Sequence, residues 1–186
     1  MKLELPRVED ALFVFLLVFS LFFSAFLFGV GKQMQTEEKN ERGKNLPTQF
    51  EKDMSLMVVG HPIQKMIPFI AKQDKDVAAY LVAIAKKESN WGKYHPEKNG
   101  KECFNYWGYR GTYNQTASGY SCFKSPKQAV NVVGERIREL MEQDITEPSE
   151  MVVWKCGQNC SADNVYAVDK WIEDVAYYHE KVERFF

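Results

Sequence analysis

Residues 74–92 read DKDVAAYLVAIAKKESNWG, and this stretch predicts the central helix of the protein. Apolar side chains recur along it at helical spacing, namely at Val77, Leu81, Ile84 and Ala85. The pattern predicts a helix from Asp74 to about Ser89 with one buried face. Asn90-Trp91-Gly92 then ends it, because a glycine of this kind closes a helical pattern.

Helical signals on both sides of this stretch predict further helices. A first short helix is expected from Pro62 to Lys72, and a third begins at Ser125, where Ser-Pro-Lys-Gln is a capping box with proline at the first helical position. A fourth is expected from Pro148 to Trp154, and a fifth after a cap at Ser161. The apolar faces of the first, third and fifth are formed by Ile63, Met66, Ile67 and Ile70, by Ala129, Val132, Val133, Ile137, Leu140 and Met141, and by Val165, Val168, Ile172, Val175 and Val182.

Residues 93–124 differ in composition from these helices. They contain four glycines and five tyrosines: Gly100, Gly108, Gly111, Gly119, Tyr94, Tyr106, Tyr109, Tyr113 and Tyr120. Such a segment is typical of loops or a short β-hairpin. The predicted fold class is therefore mainly α, with a small loop or β-hairpin insertion after the second helix.

The four cysteines lie in the second half of the chain, at Cys103, Cys122, Cys156 and Cys160. Their even number suits an oxidising compartment. We favour the pairs Cys103–Cys122 and Cys156–Cys160 among three pairings. A zinc site and free thiols in a cytosolic domain are the alternatives, but only the second pair has the spacing of zinc ligands.

Residues 11–31 carry no charged side chain, and seven of the 13 phenylalanines lie between Phe13 and Phe28. As a helix this segment would extend roughly 31 Å, the thickness of a bilayer's hydrocarbon core. We predict an uncleaved transmembrane anchor after a short tail at 1–10. A cleaved secretory signal is the alternative, although its apolar region is usually shorter.

The charges around this segment and the cysteines favour opposite orientations. More Lys and Arg residues follow the segment than precede it, which favours a cytoplasmic C-terminal side: Lys2 and Arg7 against Lys32, Lys39, Arg42 and Lys44. The cysteines favour an exported C-terminal side, and we adopt that orientation. We therefore expect a single-pass protein of the bacterial inner membrane with its C-terminal domain outside the cytoplasm.

The polar residues 32–52 have no apolar period and are predicted to be a solvated tether, which leaves residues 53–186 for one domain. The chain has 24 Lys and Arg against 25 Asp and Glu, so it lacks the basic excess of most nucleic-acid-binding proteins. Its 45% hydrophobic content excludes an acidic disordered chain.

Glu88 is the candidate catalytic residue. A carboxyl at the C-terminal end of an apolar helix has a raised pKa, because the helix end is partly negative and apolar neighbours disfavour the ion. A carboxyl that stays protonated near neutral pH can donate a proton to a glycosidic oxygen. Taken alone, however, Glu88 is better interpreted as a surface residue beside Lys86 and Lys87.

A second motif strengthens the catalytic interpretation. Residues 105–110 read NYWGYR, in which glycine allows close backbone approach and the aromatic rings suit stacking on sugars. Core packing is the alternative role for these rings.

The KESNWG motif at 87–92, NYWGYR at 105–110, and the aromatic residues leading into the capped helix at Ser125 resemble the lysozyme-like glucosaminidase family. Its members are peptidoglycan-cleaving enzymes related to endo-β-N-acetylglucosaminidases and, more distantly, to lytic transglycosylases. The resemblance covers about residues 62–142, and the tail from Thr146 to Phe186 has no counterpart in the family pattern.

The resemblance implies an α+β lysozyme-like fold with Glu88 as general acid and Ser89 as its support. It implies that the sugar cleft is formed by Asn105, Trp107, Gly108 and Tyr109, and the predicted substrate-binding residues also include Ser89, Trp91 and Tyr120. The implied ligand is a peptidoglycan strand. No cofactor is predicted, and the scattered His61, His95 and His179 are given no metal role.

The sequence departs from the family pattern where a second acid is expected, since residues 110–124 contain no Asp or Glu. The nearest acids are Glu97 and Glu102, and Phe123 replaces the family's tyrosine. A one-acid scheme, by hydrolysis or by transglycosylation, therefore competes with a two-carboxylate scheme. A domain that binds glycan or a cell-envelope partner without cleavage, and a non-enzymatic helical protein, are the other functional hypotheses.

Overall fold

The computed structural model describes residues 47–186. The predicted tail at 1–10, the anchor at 11–31 and most of the tether lie outside the described residues. Among residues 47–186, none of the helices combines the length and the apolar character that crossing a membrane requires.

The described part of the chain contains six α-helices and one two-stranded antiparallel hairpin. In chain order they are α1 (Gln49–Met57), a 3₁₀ turn (Pro62–Met66), α2 (Ile67–Ile70), α3 (Lys75–Ser89), β1 (Glu97–Lys98), β2 (Lys101–Glu102), α4 (Pro126–Met141), α5 (Val153–Cys156) and α6 (Val165–Glu183). In the hairpin, Glu97 lies opposite Glu102 and Lys98 opposite Lys101. The mainly α prediction is confirmed.

The central helix α3 lies inside the domain. Every residue from Val77 to Ala85 is at most 2% exposed, so the predicted apolar face is confirmed but α3 is buried on all sides. Helices α4 and α6 pack against it. A helix that is apolar all around is expected at the centre of a fold, and the alanines of α3 let its neighbours approach closely.

The start of α4 follows the predicted capping box. The Ser125 hydroxyl accepts a hydrogen bond from the Gln128 backbone N–H at 3.2 Å, and the Gln128 side chain accepts one from the Lys124 N–H at 2.8 Å. These bonds satisfy N–H groups that have no partner within the helix. The apolar faces predicted for the helix at 62–72 and for the helix that begins at Ser125 are largely buried, as expected.

Helix α1 was not predicted, and it covers the last residues of the predicted tether. Thr48 caps it by accepting a hydrogen bond from the Glu51 N–H at 3.1 Å. Met54 is fully buried in the core, as is Val58 just after the helix. The tether prediction is wrong at its C-terminal end because the charges of 51–53 mask a short apolar face.

Three helix boundaries also differ from the predictions. The predicted first helix is a 3₁₀ turn followed by α2, and Pro68, which has no N–H to donate, lies in the first turn of α2. Residues 148–152 form turns, so the fourth helix is only Val153–Cys156. The predicted fifth helix is α6, which is capped by Asn164 rather than Ser161. Its first residue, Val165, is 73% exposed.

The structure pairs Cys103 with Cys122 and Cys156 with Cys160, as predicted, with Cα–Cα distances of 4.2 and 5.2 Å. The first disulfide joins the end of the hairpin to the segment before α4. The second closes the short turn after α5. Each therefore fixes a segment that has little regular secondary structure of its own.

Replacing both Cys103 and Cys122 by alanine should lower the free energy of unfolding by about 3 kcal/mol, because a disulfide restricts the unfolded chain more when its loop is longer. The control is the alanine pair at Cys156 and Cys160, which span four residues rather than 19. The control should lose about 2 kcal/mol. Urea unfolding monitored by circular dichroism measures both, and a larger loss in the control would contradict the prediction.

Candidate active site at the end of the central helix

Helix α3 ends in a tight turn that brings Glu88 to the surface. Asn90, Trp91 and Gly92 have φ values of 50°, 57° and 86°, a conformation that is uncommon for tryptophan. The Asn90 N–H donates to the Lys86 carbonyl and the Trp91 N–H to the Ala85 carbonyl, both at 3.0 Å. The chain therefore leaves the helix just after Ser89, with Glu88 in the last turn.

Ser89 joins this helix end to the NYWGYR segment. Its hydroxyl lies 2.7 Å from the Tyr106 carbonyl oxygen and accepts a hydrogen bond from the Gly92 N–H at 2.8 Å. The residue is only 3% exposed. Ser89 lines the cleft beside Glu88, but its hydroxyl is occupied in joining the helix end to the NYWGYR segment.

Asn105 fixes the shape of the same segment. Its side-chain amide donates to the carbonyls of Tyr109 (2.8 Å) and Ser121 (2.9 Å) and accepts from the Tyr109 N–H (3.0 Å). The residue is 1% exposed, so these bonds form away from water. Asn105 shapes the cleft, as the resemblance implied, by bracing the turn that contains Gly108.

Replacing Asn105 by alanine should lower the free energy of unfolding by about 3 kcal/mol. Three hydrogen bonds are lost, and the Tyr109 N–H is left without its partner, although the Tyr109 carbonyl still accepts from the Ser121 N–H. Chemical denaturation measures the loss. Asn131→Ala, at an exposed position of α4, is the control and should change stability by less than about 0.5 kcal/mol. Equal effects at both positions would contradict the bracing role.

Gly108 lies directly beside the Glu88 carboxyl. A Cβ at position 108 would be 3.2 Å from Glu88 Oε2, and the φ of Gly108 is +64°. The positive φ favours glycine here, since other residues rarely adopt it, and a Cβ would push the carboxyl away by a few tenths of an ångström. The close backbone approach predicted for Gly108 is confirmed.

The Glu88 carboxyl has one side-chain hydrogen bond within the described residues. Trp171 Nε1 donates to Oε1 at 2.7 Å. The two neighbouring lysines bond elsewhere: Lys86 Nζ to Asn90 Oδ1 at 2.7 Å and Lys87 Nζ to Asp174 Oδ2 at 2.6 Å. Glu88 is exposed, as the alternative of a surface residue beside two lysines requires, but its carboxyl bonds to Trp171 and to neither lysine.

Burial raises the pKa of Glu88 above its ordinary value, and this is the largest effect on the group. The Trp171 hydrogen bond and the charges of Lys87 and Lys155 lower the pKa and offset part of the rise. The residue as a whole is nevertheless exposed. The carboxyl thus combines a raised pKa with access from solvent, which suits a group that must keep a proton and deliver it.

Glu88 borders an open cleft of about 640 Å³. Tyr94 and Tyr120 provide aromatic surface there, and the Arg110 guanidinium lies 4.0 Å from the centre of the Tyr120 ring. The other lining residues are Ser89, Lys93, His95, Pro96, Glu97, Asn105, Gly108 and Ser118. The predicted Tyr120 therefore lies in the cleft, whereas Tyr94 was not predicted as a site residue.

A smaller cavity of about 250 Å³ shares Gly108 as a lining residue with this cleft. Tyr109 and Trp154 contribute aromatic rings to it, with ring centres 5.9 Å apart. Arg110, Arg136 and Gln158 add polar groups. An extended ligand that occupied both cavities would cross Gly108 and pass the Glu88 carboxyl.

Two predicted substrate-binding residues are core residues instead. Trp91 is 5% exposed and donates its indole hydrogen to the Val82 carbonyl at 3.0 Å. Trp107 is fully buried and donates to the Leu81 carbonyl at 2.7 Å. Both indoles pack against α3, so core packing is the correct role for these rings.

Of the two acids nearest to the motif, only Glu97 lines the Glu88 cleft. The Glu102 carboxylate instead accepts hydrogen bonds from Lys65 Nζ, at 2.5 Å, and from the Tyr106 hydroxyl. His95 is next to Glu97, with its Nδ1 donating to the Gly92 carbonyl at 2.7 Å and its Nε2 3.9 Å from Glu97 Oε1. Glu97 is thus the candidate for a second carboxylate.

The contribution of α6 to the site was missed. Trp171 is 83 residues from Glu88 in the chain. In the sequence, only its position near the apolar face of the last predicted helix distinguishes it. That position indicates burial and does not indicate a carboxylate partner.

Within residues 47–186, no three His, Cys, Asp or Glu side chains come together in a way that could hold a metal ion. The groups at the cleft are instead a carboxyl with a raised pKa, a second carboxylate and several aromatic rings. Comparison of the chain with protein-family models, with curated proteins and with solved structures finds no match.

Proposed function

We propose that the protein cleaves peptidoglycan glycan strands, with Glu88 as the general acid. The observation that carries this proposal is the Glu88 carboxyl, whose pKa is raised by burial, at the edge of an open cleft with tyrosines in its wall. Aromatic rings are suited to stack on sugars, and a protonated carboxyl can donate to a glycosidic oxygen.

In the first step, protonated Glu88 donates its proton to the glycosidic oxygen as the C1–O bond breaks. The carbonyl oxygen of the substrate's own N-acetyl group bonds to C1 and stabilises the developing cation. The leaving sugar departs with the proton as a free hydroxyl, and Glu88 is left as a carboxylate.

In the second step, the Glu88 carboxylate removes a proton from the incoming group, which bonds to C1 while the N-acetyl oxygen leaves. Water as the incoming group gives hydrolysis. The 6-hydroxyl of the same sugar gives an anhydro end, as in lytic transglycosylases. Glu88 recovers its proton in either case, so one acid is sufficient for the full cycle.

Glu97 allows a two-carboxylate variant of this scheme. It lies in the wall of the same cleft, and its side chain is 61% exposed and therefore open to water. A carboxylate in that position could activate the incoming water while Glu88 protonates the leaving group. If Glu97→Gln no longer hydrolyses the glycan, the reaction follows this two-carboxylate scheme.

We further propose that residues 11–31 anchor the protein in the bacterial inner membrane and that the enzyme domain lies outside the cytoplasm. The two disulfides support this location, since disulfides persist in oxidising compartments. The cell wall would then be within reach of the domain.

Digestion of purified peptidoglycan by the full chain in detergent micelles tests the proposal. We expect soluble glycan fragments, whose mass distinguishes the two reactions because an anhydro end is one water lighter than a hydrolysed end. If the protein sediments with insoluble peptidoglycan but releases nothing, it is a glycan-binding domain instead. If it neither binds nor cleaves, the proposal is wrong.

A further inference from the structure

The C-terminal helix α6 reaches the Glu88 carboxyl through two adjacent contacts. Trp171 Nε1 donates to Glu88 Oε1 at 2.7 Å. One residue earlier on α3, Lys87 Nζ bonds to Asp174 Oδ2 at 2.6 Å and to the Lys170 carbonyl at 3.2 Å. Two consecutive residues of α3 are therefore bound to one turn of α6.

Trp171 makes the two oxygens of the carboxyl unequal. Oε1 accepts the indole hydrogen, whereas Oε2 lies beside Gly108, which lines the cleft. In a neutral carboxyl one oxygen carries the proton and the other accepts hydrogen bonds. A donor held at Oε1 favours Oε1 as the acceptor and leaves the proton on Oε2.

The surroundings of Trp171 keep the indole in place. The residue is 1% exposed and belongs to the buried face of α6, together with Val175 and Val182. The Lys87–Asp174 ion pair fixes α6 less than one turn further along. The indole is thus a rigid donor, and its direction is set by the packing of α6 against α3.

We infer that Trp171 is a positioning residue that holds Glu88 by Oε1, so that the proton is carried on Oε2 at the cleft, and that α6 is part of the active site. This inference rests on the proposed role of Glu88 as proton donor. It gives a function to the C-terminal segment, which has no counterpart in the family pattern.

The four tryptophans provide an internal control for this inference. Three indole nitrogens donate to backbone carbonyls, which do not titrate: those of Trp91, Trp107 and Trp154. Only Trp171 donates to a carboxylate. In a nitrogen-15 spectrum of the full chain in detergent micelles, we expect only the Trp171 indole signal to move as Glu88 ionises.

Two variants complete the spectroscopic test. Trp171→Phe should remove one signal, which assigns it, and Glu88→Gln should abolish its pH dependence while leaving four signals in place. If the Trp171 signal does not move with pH in the unmodified protein, or moves equally in Glu88→Gln, the inference is overturned. The titration of the unmodified protein decides this even if a variant fails to fold.

The pH profile of cleavage distinguishes positioning from a structural role. Trp171→Phe should lower kcat/KM by about 10-fold to 100-fold, the effect of a misplaced reacting group. It should also shift the alkaline limb to higher pH, because the indole bond that favours ionised Glu88 is lost. Trp91→Phe removes a similar buried indole bond and should leave the alkaline limb unmoved.

The two proposals fail in distinguishable ways. If Glu88→Gln still cleaves peptidoglycan, the proposed function is wrong, whereas the titration of the Trp171 signal still measures the contact with Glu88. If Glu88→Gln is inactive and the Trp171 signal does not titrate, Glu88 is the acid and the positioning role is wrong.

Discussion

Glu88→Gln should lower the rate of glycan release at least about 1,000-fold, because it removes the only proton donor in the one-acid scheme. A general acid alone contributes about 100-fold to 10,000-fold, and here the same group also acts as base. Release of soluble fragments from purified peptidoglycan measures the rate. Glu173→Gln, at an exposed position of α6, is the matched control and should cleave at the normal rate.

The same variant should keep its fold, and its stability should depend less on pH. Because the pKa of Glu88 is raised in the folded protein, the folded state retains the proton over a range where the unfolded chain has lost it. The native protein therefore loses stability as pH rises from the ordinary glutamate value through the raised one, and stays less stable above it. Glutamine does not titrate and can still accept the Trp171 hydrogen bond.

Thermal unfolding of the two proteins across this pH range measures the difference. We expect Glu88→Gln to gain stability relative to the native protein toward alkaline pH. If Glu88→Gln is inactive because it is unfolded, the prediction that it keeps its fold is wrong. If it loses stability with rising pH as the native protein does, the raised pKa of Glu88 is not the cause of that loss.

Gly108→Ala should reduce glycan release by about 10-fold, because a shift of the reacting carboxyl well below 1 Å has a smaller effect than the roughly 100-fold loss of a 1 Å misplacement. The new Cβ would lie 3.2 Å from Glu88 Oε2, which would have to move by a few tenths of an ångström. The positive φ of Gly108 adds a conformational cost of about 1–2 kcal/mol to the free energy of unfolding.

Gly100→Ala separates these two effects. Gly100 has a φ of +70°, and a Cβ there would meet nothing within 4 Å. The control should therefore lose stability about as much as Gly108→Ala and retain its activity. If both variants lose activity equally, the proximity of Gly108 to Glu88 has no role in the reaction.

The features that could be predicted from the sequence are those with local signals. The capping box at Ser125 and the pairing of Cys103 with Cys122 depend on neighbouring residues or on cysteine spacing, and both are confirmed. Glu88 stands out in the sequence as an acid at the C-terminal end of an apolar helix, and the NYWGYR motif and the family resemblance favour a catalytic role for it. Its raised pKa is confirmed, although burial rather than the helix end is the largest cause.

The features that could not be predicted depend on contacts between distant segments. The bond between Trp171 and Glu88 exists only because α6 packs against α3. Trp91 and Trp107 belong to the two motifs that carry the family resemblance and were predicted to bind substrate, but their indoles bond to carbonyls of α3. An aromatic residue in a motif can line the cleft or pack in the core behind it, and the sequence alone does not distinguish these two positions.

A crystal structure of the Glu88→Gln variant with a peptidoglycan tetrasaccharide would show whether a glycosidic bond reaches Glu88. We expect sugars on both sides of Gly108, with the oxygen of one glycosidic bond about 3 Å from the side chain at position 88. Sugars bound elsewhere, or a glycan in the cleft with every glycosidic oxygen out of reach of that side chain, would contradict this expectation.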